Sequence, residues 1–149
     1  MMHYGWWMAC FVLLAFCGGC NSNRQTVGLQ GEVSFSGRPI EKGRIDFLPI
    51  DGTPGGSVSA PIVSGRYRLA SEDGVATTGS YRICIIALRA TGKTMANSLQ
   101  RGGPPIEVEE QFLPSIYNVG STLKVQMADL GDKREVDVQL GKTPTIVTH

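Results

Sequence analysis

Residues 79–88, Gly-Ser-Tyr-Arg-Ile-Cys-Ile-Ile-Ala-Leu, constrain the fold more than any other stretch. Beyond the N-terminal segment it is the one run apolar on both faces. Tyr81, Ile83, Ile85 and Ala87 point one way, and Cys84, Ile86 and Leu88 the other. Such a strand belongs in the middle of a sheet, covered on both sides.

The runs around it alternate with a period of two, the mark of half-buried strands. Residues 27–36 set Val27, Leu29, Gly31, Val33 and Phe35 against Gln30, Glu32, Ser34 and Ser36. Residues 43–49 turn Ile45 and Phe47 inward, and Pro49 ends the run by removing a ladder donor. Residues 57–63 alternate Val58, Ala60 and Ile62 with polar positions, and Pro61 assigns this strand to an edge. Ser64-Gly65 reads as a two-residue hairpin turn into residues 66–69, with Tyr67 and Leu69 inward. Residues 121–127 and 135–140 close the pattern, giving seven strands and no convincing helix. Residues 89–120 lack periodicity and read as a long connection, and residues 141–149 as a flexible tail. With 19 Gly and 8 Pro set mostly between the short runs, this is an all-β sandwich. Net charge is +1 with the signs interspersed, which leaves no electrostatic footprint for nucleic acid.

The first 23 residues carry no charged side chain. An apolar run over residues 6–16 leads into Cys17-Gly18-Gly19-Cys20. Three of the four cysteines fall here and only Cys84 lies in the folded part, so no disulfide framework is expected. The run is short for a membrane span and ends in small residues, as a secretory signal does. Gly18-Gly19-Cys20 followed by Asn21-Ser22-Asn23 resembles a bacterial lipoprotein signal. The resemblance implies cleavage after residue 19, acylation of Cys20, export across the inner membrane and a lipid anchor in the cell envelope. The chain then divides into a signal peptide (1–19), a short tether (20–26), a sandwich (27–140) and the tail.

Val33-Ser-Phe-Ser-Gly-Arg-Pro-Ile40 and Gly43-Arg-Ile-Asp-Phe-Leu-Pro49 are similar to the opening of carboxypeptidase-regulatory-like (transthyretin-like) domains. Gly65-Arg-Tyr-Arg-Leu69 and Gly79-Ser-Tyr-Arg-Ile-Cys-Ile85 match two further stations of that pattern. Leu113-Pro-Ser-Ile-Tyr-Asn118 and Ser121-Thr-Leu-Lys-Val125 resemble the ending found in small planctomycete-type lipoproteins of the family. The resemblance spans residues 27–140 and implies a seven-stranded transthyretin-like sandwich. It lends no common activity.

Catalytic constellations are missing from the sequence. The two histidines, His3 and His149, lie in the signal region and the tail, so a Ser-His-Asp or Cys-His site and the usual zinc sets lack a histidine from the folded part. Hydroxyisourate hydrolases of related fold rely on several histidines, and intradiol dioxygenases need two His and two Tyr on iron. Thr91-Gly92-Lys93-Thr94 resembles the end of a P-loop, but Ala87 stands where its first Gly is required. Glu107, Glu109 and Glu110 offer oxygen ligands for Ca²⁺ without the spacing of an EF-hand, and a solvated acidic face is the plainer reading. Phe112 and Tyr117, flanking Pro114, form either a shelf for sugar or peptide or a plug at the end of the sandwich. No cofactor or metal is expected. Two functions fit: a tethered, non-enzymatic module binding an envelope protein or glycan through residues 89–120, with Phe112, Tyr117, Glu107, Glu109 and Glu110 as candidate contacts, or a purely structural envelope module.

Overall fold

The computed structural model describes residues 26–100 and 102–149. The expected signal peptide and Cys20 lie outside them. The fold is all-β. In chain order the strands are β1 (Thr26–Val27), β2 (Gln30–Phe35), β3 (Arg38–Pro39), β4 (Lys42–Ile50), β5 (Val58–Val63), β6 (Arg66–Arg68), β7 (Val75–Ala76), β8 (Ser80–Met95), β9 (Ile106–Gln111), β10 (Lys124–Gln126), β11 (Val136–Leu140) and β12 (Thr145–Thr148). A 3₁₀ turn at Ser115–Tyr117 and a single α-helical turn, α1 (Met127–Leu130), complete them.

β1 and β7 form a two-stranded sheet, and the rest follow one hydrogen-bonded path in the order β10-β8-β4-β5-β6-β2-β11-β12. All pairs along this path are antiparallel except β2 with β11. The path folds over itself. Four strand steps separate β8 from β2, roughly 19 Å in a flat sheet. Yet the Phe35 ring of β2 lies 6.2 Å from Phe112 and 6.1 Å from Tyr117, both beside β8. The two halves thus face each other as in a sandwich, around one core running from Leu29 to Leu140. Residues 26–149 hold a core of their own.

Local chemistry explains the pairing. Ser64 and Gly65 both take positive φ, 49° and 79°, the twist that a two-residue hairpin needs and that glycine adopts freely. β5, however, is not an edge strand. It pairs with β4 throughout and with β6 at Ile62 and Val63. The β6 ladder stops where Pro61 would have to supply an N–H, so the proline ends a pairing instead of marking an edge.

β8 is central, and its two faces are covered unequally: on the outer face Cys84 is buried, but the cover thins towards Leu88. Tyr81, Ile83, Ile85 and Ala87 are at most 1 % exposed, while Ile86 and Leu88 are half-buried. Among the described residues no second layer lies over this outer face. Its apolar side chains stand opposite Arg44 and Lys42 of β4, whose aliphatic stems shade them.

The two segments read as irregular are also strands. β8 runs on to Met95 and returns as β9, and β12 pairs antiparallel with β11 from Thr145↔Gln139 to Thr148↔Val136. The β-branched run Thr145-Ile-Val-Thr148 therefore extends the sheet, and the expected flexible tail is corrected to an edge strand.

Candidate functional site

β4 reaches only as far as Lys42, which faces Leu88. Beyond that point β9 is the only strand paired with β8 among the described residues, and residues 89–111 form a two-stranded arm whose described residues are almost all exposed. The pairs are Arg89↔Glu110, Ala90↔Glu109, Thr94↔Glu107 and Met95↔Ile106. Between Ala90 and Thr94 the register slips, because β8 carries two more residues there than β9. Gly92, at φ 72°, turns the bulge, and the Thr91 hydroxyl donates to the Val108 carbonyl at 2.7 Å to close it. This is where the P-loop-like Thr-Gly-Lys-Thr falls.

The base of the arm is locked. Phe112 N–H donates to the Ala87 carbonyl (3.1 Å), and the Gln111 side chain accepts from Ala87 N–H (2.8 Å). Glu109 and Glu110 point to opposite faces, as successive strand residues must. Each meets its own cation: Lys42 Nζ to Glu109 Oε1 and Arg89 Nη2 to Glu110 Oε1, both 2.7 Å. The three glutamates therefore do not converge. Among the described residues no group of three or more His, Cys, Asp or Glu is placed to hold a metal ion.

Phe112 and Tyr117 take the plugging role. Tyr117 is 3 % exposed, follows Pro114 on the 3₁₀ turn and donates its hydroxyl to the Gly141 carbonyl. Phe112 is half-buried against Phe35, with the Arg89 guanidinium 5.5 Å from its ring centroid. An exposed aromatic shelf is not what these residues build, because their rings are spent on closing the end of the core.

The far end of the arm differs from its base. Met95 and Ile106 face each other on the last rung, 53 % and 40 % exposed, and Leu99 in the connecting loop is 96 % exposed. Sequence reading passed over these three. The available signal was charge segregation: from Arg89 to Ile106 the chain has cations and no acid, whereas three glutamates fall within Glu107–Glu110.

Elsewhere a groove of about 450 Å³ is lined by Gln30, Glu32, Pro61, Val63, Arg66 and Arg68. Arg66 and Glu32 pair across it at 2.7 Å. The Tyr67 hydroxyl beneath donates to the Val136 carbonyl at 2.8 Å, and burial, with Asp137 and Glu135 adding to it, pushes its pKa well above the usual tyrosine range. Cys84 is shifted upward as well, by burial first and then by Asp46, against an opposing effect of Arg82. A thiol so placed is held in its unreactive form.

No family model, characterised protein or solved structure matches this chain.

Proposed function

We propose that the chain is a membrane-tethered, non-enzymatic module of the cell envelope, related to the transthyretin-like domains it resembles and held by a lipidated Cys20. The contact element is the arm of residues 89–111, which meets an envelope protein or glycan. One observation carries this reading: a ribbon exposed on both faces contributes little to the core, yet its base is fixed by hydrogen bonds and ion pairs. A chain selected for folding alone has no use for such a projection, whereas connections held on a rigid scaffold commonly carry binding residues.

The geometry suits a tether. Thr26 pairs with Ala76, and the Ala76 N–H donates to the Tyr81 hydroxyl at 2.9 Å. The chain therefore enters the domain at the Ser80 end of β8. Met95 lies fourteen residues beyond Tyr81, roughly 45 Å along an extended strand. The tip of the arm thus lies at the opposite end of β8 from Thr26, a placement that leaves it free of a tether attached ahead of Thr26.

Two measurements test the reading. Mass spectrometry of the mature N-terminus should show acyl chains on Cys20, and an intact Met1 would remove the tether. Replacing residues 92–103 by a short Gly-Ser linker should abolish capture of envelope partners while the melting temperature holds. Capture that survives the replacement would leave the structural role in its place.

A further inference from the structure

We infer that the outward face of β8 and β10, at the Ser80 end, binds the dianion of a phosphate monoester between Arg82 and Lys124. This site is separate from the arm, and the two stand or fall independently.

Arg82 and Lys124 are directly opposite each other across the β8–β10 pair. Ile83 N–H donates to the Leu123 carbonyl and Met127 N–H to the Gly79 carbonyl, both at 2.9 Å. The two cations therefore share a rung without hydrogen bonds, where facing side chains come closest. Like charges so placed weaken the pairing. Other cations of the sheet and arm avoid this: Lys42, Arg44, Arg66 and Arg89 each hold a carboxylate at 2.7 or 2.8 Å. Among the described residues no carboxylate lies within ion-pair distance of Arg82 or Lys124. Residues 1–25 and 101 contain no Asp or Glu to supply one. The acid at the next outward position of β4, Asp46, faces Cys84 and is already engaged. Arg44 Nε meets it at 2.8 Å and the Ser59 hydroxyl donates to it at 2.6 Å.

A second observation falls on the same residue. Arg82 is half-buried, and its Nε is covered without a hydrogen-bond partner. No other buried side-chain nitrogen or oxygen among the described residues is left so. A covered donor without an acceptor costs stability, and an acceptor brought from outside the chain is one of the few accounts of it. The neighbouring Cys84 thiol, which feels the Arg82 charge, is only a weak acceptor.

Charge and shape select the ligand class. Two cations without acids match a doubly charged anion. A phosphate monoester carries about −1.5 to −2 at pH 7 and three acceptor oxygens, which suit an arginine fork beside a lysine. A carboxylate or a phosphodiester brings a single charge. On the next outward rung Ser80 faces Gln126, adding a hydroxyl and an amide as further donors. On the β4 side Leu48 and Ile50, both half-buried, face Arg82 and Ser80. They form an apolar strip for the organic group of an ester. Free phosphate shares the charge and the oxygens but makes no use of that strip.

The test is calorimetric titration of residues 26–149, which hold a core of their own, at constant ionic strength. Phenyl phosphate and inorganic phosphate should bind, and dimethyl phosphate, a monoanion, at least about tenfold more weakly than phenyl phosphate. Tighter binding of phenyl phosphate than of inorganic phosphate supports an ester, and equal binding overturns the ester in favour of free phosphate. Arg82→Gln and Lys124→Gln should each weaken binding about tenfold. Arg82→Lys, which keeps the charge and loses the fork, should weaken it less. Arg66→Gln, at a cation already paired on the same sheet, should leave it unchanged. Without phosphate, Lys124→Gln should melt no lower than the parent, because it removes the opposed charge. Saturating phenyl phosphate should then raise the melting temperature of the parent well above that of the variant. A structural role alone would not reverse the order in this way. No binding beyond a chloride control, or binding that survives both glutamine variants, overturns the site. Dimethyl phosphate binding as tightly as phenyl phosphate overturns the choice of a dianion.

Discussion

Phe35 and Tyr117 meet edge to face, ring centroids 6.1 Å apart, although four strand steps separate β2 from the β8 side of the sheet. Their contact is one of the points where the folded-over halves are pinned. The Tyr117 hydroxyl adds a second pin by donating to the Gly141 carbonyl, just past β11. Tyr117→Ala should therefore cost about 3–5 kcal/mol, as other buried aromatic truncations do. Tyr117→Phe keeps the ring and loses only the hydrogen bond, for about 1 kcal/mol. Urea melts of the two variants read the difference, and equal effects would show that the ring contributes nothing.

Neighbouring isoleucines on β8 should behave differently. Ile85 is fully buried beneath the fold, and Ile85→Ala should cost about 2–5 kcal/mol. Ile86 faces outward and is half-buried, so Ile86→Ala should cost less than about 2 kcal/mol. Comparable losses at both positions would mean that something covers the outer face.

The close approach of β2 to β11 depends on a residue without a side chain. A Cβ on Gly31 would lie 2.1 Å from the Val136 carbonyl oxygen, and backbone cannot step aside. Gly31→Ala should force the parallel β2–β11 pairing apart and lower stability by several kcal/mol, on the order of the largest single-site effects. Thermal melts check this, and hydrogen exchange should show the loss of protection concentrated in β2 and β11.

Alkaline pH should loosen the fold in two stages. Both Cys84 and Tyr67 have folded pKa values raised above their ordinary values of 9.0 and 10.0. The unfolded chain therefore loses these protons first, and stability falls as pH rises through each ordinary value. Below about pH 8 the contribution of both is complete. Unfolding followed from pH 7 to 11 should show a decline beginning near pH 9 and steepening past pH 10. Cys84→Ala should remove the first part and Tyr67→Phe the second. A stability that does not change between pH 8 and 11 would contradict the burial of both groups.

What the sequence disclosed depended on whether a strand has one dry face. β2, β4, β5, β6 and β11 each bury one side, so their alternation was visible, and Ser64-Gly65 announced its turn by residue type. The arm has no dry face along most of its length, so apolar residues need not recur every second position. Its bulge also shifts the phase at Thr91-Gly92-Lys93. The apolar identity of Ile86 and Leu88 did suggest a second layer, but residue type cannot say whether a cover is another sheet or the stems of Lys42 and Arg44. Tyr117 was ambiguous for a related reason: an aromatic beside a proline suits a shelf and a plug equally until Phe35 is seen against it.

The ion pairs at the base of the arm should matter for its direction more than for stability. Lys42 with Glu109 and Arg89 with Glu110 are largely solvent-exposed, and exposed pairs contribute about 0–1 kcal/mol each. Glu109→Gln and Glu110→Gln together should thus shift the melting temperature by only a few degrees or less. They do, however, tie opposite faces of β9 to two elements: Glu109 to the start of β4, and Glu110 to Arg89, whose guanidinium lies over Phe112. With both pairs removed, the ribbon is held at its root by the Gln111 and Phe112 hydrogen bonds and by the β8–β9 ladder. Spin labels at Leu99 and at a site on β12 should then report a broader distance distribution than in the parent domain. A distribution that stays equally narrow would show that the backbone bonds of the β8–β9 ladder suffice to hold the arm in place.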